Sequence, residues 1–186
     1  TIGTALANGV TSDAVRDYMD KHIQILNPDT PLLEAIKMIY DCDFVVVQSL
    51  DKTINGIVTT TDISSQFLTM TEPFLLLEQI ENHIRRLLDN KFLVEDLQQL
   101  CSNDPSRNVT NIDDLNFGDY IRLIESEKNW EKLNLSLDRT IFIKKLNNIR
   151  SIRNDIMHFD PEGITDSNLA ELKSMSRLLE ELTKFY

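Results

Sequence analysis

Gly56-Ile57-Val58-Thr59-Thr60-Thr61-Asp62-Ile63 is the stretch on which the fold turns. Ile57 and Val58 favour an extended strand, whereas Thr61 and Asp62 are residue types that cap helices, so the chain passes here from strand into a helix that starts near Asp62. Such a junction presents free backbone N–H groups and the positive end of a helix dipole. Hydroxyls and one carboxylate at that point suit a sugar phosphate, although the same residues also serve as an ordinary helix cap.

Working outward toward the N-terminus, Ile54 to Thr59 pairs as a hairpin with the β-branched run Phe44 to Val47, and Asp51 to Asn55 supplies the turn. Before that run, Thr30 and Pro31 open a helix with Leu33, Ile36, Ile39 and Tyr40 on one face, ending near Asp41. Ile23 and Ile25 alternate with Gln24 ahead of the Asn27-Pro28 turn and read as a short strand. The order is strand, helix, strand, strand. At the start of the chain, Ile2, Ala5 and Leu6 read as the tail of a helix already under way, which implies a longer natural protein.

Toward the C-terminus the composition changes at Pro73, which disfavours helix at Glu72 and marks a boundary. From Phe74 onward only helical periodicity is found. Leu76, Leu77, Ile80, Ile84, Leu87 and Leu88 recur at steps of three and four, followed by Leu93, Val94, Leu97 and Leu100. Ser102 to Asp113 is polar and reads as a loop. Further helices are carried by Tyr120, Ile121 and Ile124, by residues 138–159, and by Leu169, Leu172, Leu178, Leu179 and Leu182. The second half is a helical bundle, and Trp130 reads as a loop residue anchored in its core.

The totals narrow the functional classes. With 30 acidic against 19 basic side chains and a net charge of −11, the overall field repels nucleic acid, so contact with RNA requires a local basic patch. Cys42 and Cys101, the two cysteines, stand far apart with no second ligand at metal spacing, which argues against a disulfide framework or a zinc site and for a reducing compartment. No apolar run approaches the ~20 residues of a membrane span, and no signal-peptide pattern opens the chain. The expectation is a cytoplasmic protein without a membrane partner or a required cofactor.

Four blocks fall in order between residues 15 and 67: Val15-Arg16-Asp17-Tyr18-Met19, Pro28-Asp29-Thr30-Pro31-Leu32-Leu33-Glu34-Ala35-Ile36, Phe44-Val45-Val46-Val47, and Gly56 to Ile63. Together they closely resemble a CBS motif. The resemblance implies a small sheet with flanking helices that pairs with a second copy and binds an adenine nucleotide (AMP, ADP or ATP) as a regulatory ligand between the two. It also implies that Thr59 contacts phosphate, that Asp62 holds the ribose hydroxyls, and that backbone near Phe44 to Val46 meets the base. One complete motif is present here, and residues 1–10 resemble the last helix of a preceding one, so the cleft needs either that upstream motif or a second chain.

The helix from Asp138 to about Phe159 carries Arg139, Lys144, Lys145, Arg150 and Arg153, the densest basic stretch of an acidic chain. Its apolar stripe runs through Phe142, Leu146, Ile149, Ile152 and Ile156, and places Arg153 at the edge. A guanidinium there requires a carboxylate, a phosphate or another subunit as partner. His158 lies in the last turn, because Pro161 stops the helix. Imidazole and guanidinium suit metal-free RNA cleavage, the first moving a proton and the second stabilising the charged phosphorane. His83, beside Arg85 and Arg86, reads as part of a solvated helix face.

Leu115 to Ile124, Trp130-Glu131-Lys132-Leu133, Leu137-Asp138-Arg139 and Ile149 to Phe159 together resemble a prokaryotic HEPN domain, and the resemblance covers residues 74–186. That family's motif, an arginine followed by a polar residue and later a histidine, is matched by Arg153, Asn154 and His158. The resemblance implies a homodimer whose motif helices form one composite ribonuclease site without metal; members act in toxin–antitoxin and antiviral systems, and others only bind. The expected architecture is therefore α+β: a single CBS motif over residues 1–72, then an all-α HEPN helical bundle over residues 73–186. Two functions remain open: a nucleotide-regulated RNA-cutting enzyme, and a non-catalytic module that senses adenine nucleotide and dimerises.

Overall fold

The computed structural model describes residues 3, 7–9, 14–19, 22–104, 106–158 and 164–184. It is mixed α and β and mostly helical, and the chain divides into two compact units, Thr1–Thr69 and Met70–Tyr186. The expected tail helix at residues 1–10 falls largely outside the described residues.

In the first unit a 3-10 turn at Val15–Asp17 precedes β1 (Ile25–Leu26), α1 (Leu32–Cys42), β2 (Phe44–Gln48) and β3 (Ile54–Thr59). The sheet order is β1-β2-β3, with β1 parallel and β3 antiparallel to the central β2. Val46 faces Ile25 on one side and Ile57 on the other. The hairpin turn sits at Ser49–Lys52, earlier than the sequence suggests. Asp51 accepts the Thr53 N–H at 2.9 Å, and Lys52 takes a positive φ of 67° there.

Leu26, Ala35, Ile39 and Val45 form the core of this unit, with Met38, Val58 and Ile63 packed against it. The expected face of α1 is therefore rotated. Leu33 and Tyr40 are 76% and 83% exposed, because the small Ala35 and the Met38–Ile39 pair are the residues that meet the sheet. Thr30 does not cap α1 either: Pro31 holds the cap position in extended backbone (ψ 137°), and no side chain bonds the helix end.

α2 runs unbroken from Thr60 to Leu88, so Pro73 is not a helix boundary. A proline inside a helix removes one backbone hydrogen bond and costs about 3 kcal/mol. Here its ring is buried and heads the stripe Leu77, Ile80, Ile84, Leu87 and Leu88, whose burial offsets that loss.

The second unit continues with α3 (Val94–Leu100), a 3-10 turn at Ile112–Asp114, α4 (Phe117–Glu125), α5 (Glu127–Leu133), α6 (Arg139–Met157) and α7 (Asp166–Thr183). Among the described residues it contains no strand. Tyr120, Ile121, Leu146, Ile149, Leu172 and Leu179 lie at the centre of its core. Trp130 packs against Phe142 with ring centroids 5.5 Å apart, but it does so from helix α5 rather than from a loop.

The segment between α3 and α4 is pinned at both ends. Val109 and Ile112 are buried, and Arg107 reaches Asp119 at 2.8 Å. Asp119 is fully buried, also pairs with Arg122, and exchanges hydrogen bonds of 3.0 Å with Asn116 in a capping box at the start of α4. Burial pushes its carboxyl up, but the Asn116 N–H and the two guanidinium groups outweigh that and hold it below the usual carboxylate value.

Candidate functional site

The strand-to-helix junction is built by Asp43, Thr59, Thr60 and Asp62. Asp43, at a φ of 65° after α1, turns its carbonyl toward α2 and accepts both the N–H and the hydroxyl of Thr60 at 3.1 and 3.0 Å. Thr59 and Asp62 form a capping box: Asp62 Oδ2 accepts the Thr59 N–H at 2.8 Å and the Thr59 hydroxyl at 2.7 Å. Those two Thr59 donors hold the Asp62 carboxyl below its ordinary value, so it is anionic near neutral pH. Asp62 is exposed and Thr59 half-buried. The two residues expected to meet phosphate and ribose are thus brought together, in the first turn of a long helix. On β2, the ladder with β1 reaches Val46 and Val47, whereas Phe44 and Val45 are paired within it to β3 alone.

The second group lies at the end of α6. Asp138 caps its start by accepting the Ile141 N–H at 2.9 Å, and Phe142, Leu146, Ile149 and Ile152 bury the inner face. Asn154 and His158 are exposed, one turn apart, and the His158 N–H donates to the Asn154 carbonyl at 2.9 Å as the helix closes. Arg153 is half-buried beside them. Five residues separate Arg153 from His158, which is roughly 140° around an ideal helix, so one chain does not aim both at one point. The sequence reading requires a partner for this guanidinium; among the described residues it has none. Lys144, Lys145 and Arg150 are likewise exposed and form no ion pair among the described residues, whereas Arg139 donates to the Glu125 carbonyl.

Comparison with known protein families matches residues 15–68 to the CBS domain. Residues 15–68 are a CBS domain. CBS domains are commonly nucleotide-sensing regulatory modules that bind adenine nucleotides and often dimerise. No curated protein and no solved structure matches the chain, and nothing in these comparisons speaks for a HEPN domain. The Thr59–Asp62 junction falls inside the CBS domain, and Arg153, Asn154 and His158 fall outside it.

Beyond the CBS domain lie three polar clusters not identified from the sequence. Arg85 donates to the hydroxyl of fully buried Tyr120 at 2.8 Å and to Glu81 at 2.7 Å. Asp119 gathers Arg107 and Arg122; its Asn116-x-x-Asp119 spacing is the signal that would have found it. His83 is half-buried and not on a solvated face: its Nδ1 meets the Thr183 hydroxyl at 2.8 Å, tying α2 to α7. Burial, and then Arg86, lower its affinity for a proton, against a smaller opposing effect of Glu180. No helix among the described residues is long and apolar enough to cross a membrane, and no group of three metal-ligating side chains occurs among them.

Proposed function

We propose that the chain is a nucleotide-regulated, metal-independent endoribonuclease in which the CBS domain responds to adenine nucleotide and a HEPN-type helical unit cuts RNA. The observation that carries the reading is Arg153: a half-buried guanidinium without a carboxylate partner among the described residues, beside exposed Asn154 and His158 on the most basic helix of an acidic chain. A phosphate supplies the missing counter-charge.

In the reaction, the RNA 2′-oxygen bonds to the adjacent phosphorus while the bond to the 5′-oxygen breaks. The products are a 2′,3′-cyclic phosphate and a 5′-hydroxyl, with no metal or further reactant required. One His158 takes the 2′-hydroxyl proton and a second, from the partner chain, returns a proton to the leaving oxygen. Arg153 stabilises the phosphorane charge, and Asn154 offers an amide hydrogen bond to the same group. The angular separation of Arg153 and His158 on one helix favours such a composite, dimeric site. In the CBS domain, Thr59 binds phosphate and Asp62 the ribose. The exposed Leu33, Tyr40 and Ile57 leave apolar surface for a second motif.

Calorimetry with AMP, ADP and ATP, beside RNA incubation of the wild type and His158→Ala, tests both halves. Nucleotide binding with His158-dependent cleavage supports the proposal; cleavage equal in the variant removes the catalytic half. A second reading, a nucleotide-sensing module that dimerises without catalysis, is favoured by the net charge of −11. It predicts nucleotide binding with no cleavage.

A further inference from the structure

We infer that Arg150 is a positioning residue of the proposed RNA site and grips another phosphate of the strand that is cut. The inference rests on the ribonuclease reading above. Positions four apart on a helix share a face, so Arg150, Asn154 and His158 form one line along α6 that Arg153 flanks. Arg150 is exposed and has no ion-pair partner among the described residues. The guanidinium crosses to α4 and lies over Gly118, where a methyl group built on the glycine would stand 3.6 Å from Arg150 Cζ and 3.8 Å from Nε. That methyl would also stand 3.3 Å from the Asn116 side-chain oxygen, a tight contact that the glycine avoids.

The spacing fixes what Arg150 does. Eight residues of helix put it about 12 Å along the axis from His158. That is too far to share the scissile phosphate, and it lies on the face along which a bound strand reaches His158. Lys144 and Lys145 lie on the same helix but roughly 120° and 140° around it from Arg150, so Arg150 is the cation of this line. The ligand is single-stranded RNA of several nucleotides, since one nucleotide does not span both groups.

The test uses the full chain and a labelled single-stranded RNA oligonucleotide of mixed sequence. Steady-state cleavage and fluorescence anisotropy are recorded for the wild type, Arg150→Gln and Arg150→Lys, the anisotropy in a His158→Ala background. Glutamine retains most of the packing over Gly118 without the charge, and thermal melting checks that both variants fold. Arg150→Gln is expected to raise KM about tenfold with a smaller change in kcat, and to reduce the salt slope of binding by about one. Arg150→Lys should recover most of the KM, which loss of packing alone does not predict. A wild type that cleaves RNA with Arg150→Gln at wild-type KM overturns this inference and leaves the Arg153 and His158 reading standing. A wild type that neither binds nor cleaves RNA overturns both.

Discussion

The Thr59 hydroxyl and the Asp62 carboxylate, both expected to hold a nucleotide, hold each other at 2.7 Å. The Asp62 N–H returns toward the same hydroxyl at 3.3 Å, so the box satisfies the start of α2 with no ligand. Only Oδ2 of Asp62 is used in these bonds, so the proposed ribose contact falls to Oδ1.

Asp62→Ala should therefore have two separable effects. Loss of its half of the box lowers stability, read as a lower midpoint in thermal melting. Loss of the proposed ligand contact is expected to abolish the rise in Tm predicted for the wild type with AMP or ATP. A variant that melts lower yet keeps the full nucleotide-induced shift shows that Asp62 only caps the helix.

Asp119→Asn should destabilise the second unit by about 3 kcal/mol, because two guanidinium groups lose their shared counter-charge around a fully buried position. Trp130, the single tryptophan, reports unfolding of that unit in urea. With its carboxyl held below the ordinary value of 3.8, Asp119 contributes its full stabilisation above that pH and loses it as pH falls through the lower folded value. A midpoint within about 0.5 kcal/mol of wild type contradicts the network.

His83 gives stability a second pH dependence. Burial and Arg86 place its folded titration below the ordinary 6.5, so its contribution is complete above that pH and declines as pH falls through the folded value. Glu180, Thr183 and Lys184 of the facing segment share the cleft with it. His83→Gln should flatten the change in Tm between about pH 7 and about pH 5. An unchanged slope assigns that dependence to other groups.

Much of this fold was readable where a single physical signal dominated. The β-branched run Phe44 to Val47 reads as a strand and forms β2, and the stripe through Phe142, Leu146, Ile149 and Ile152 is the buried face of α6. Misreadings arose where two signals compete. Pro73 breaks helices by local chemistry, but its ring serves the core. Leu33 and Tyr40 are larger than Ala35, but Ala35, Met38 and Ile39 are the residues on the face that meets the sheet. The candidate groups were legible as residue types at a spacing, not as geometry. The Thr59-x-x-Asp62 spacing is itself a capping-box signal, whereas the unpaired state of Arg153 depends on distant neighbours, which no spacing encodes.

The central claim is that Arg153 and His158 cut RNA without metal under control of the CBS domain. Its most direct measurement is mass analysis of RNA ends after incubation in excess chelator, with and without ATP, for the wild type, Arg153→Ala and His158→Ala. The account predicts 2′,3′-cyclic phosphate ends from the wild type alone, at a rate that changes with nucleotide. Cyclic ends formed equally by His158→Ala, or none from the wild type in any condition, contradict it.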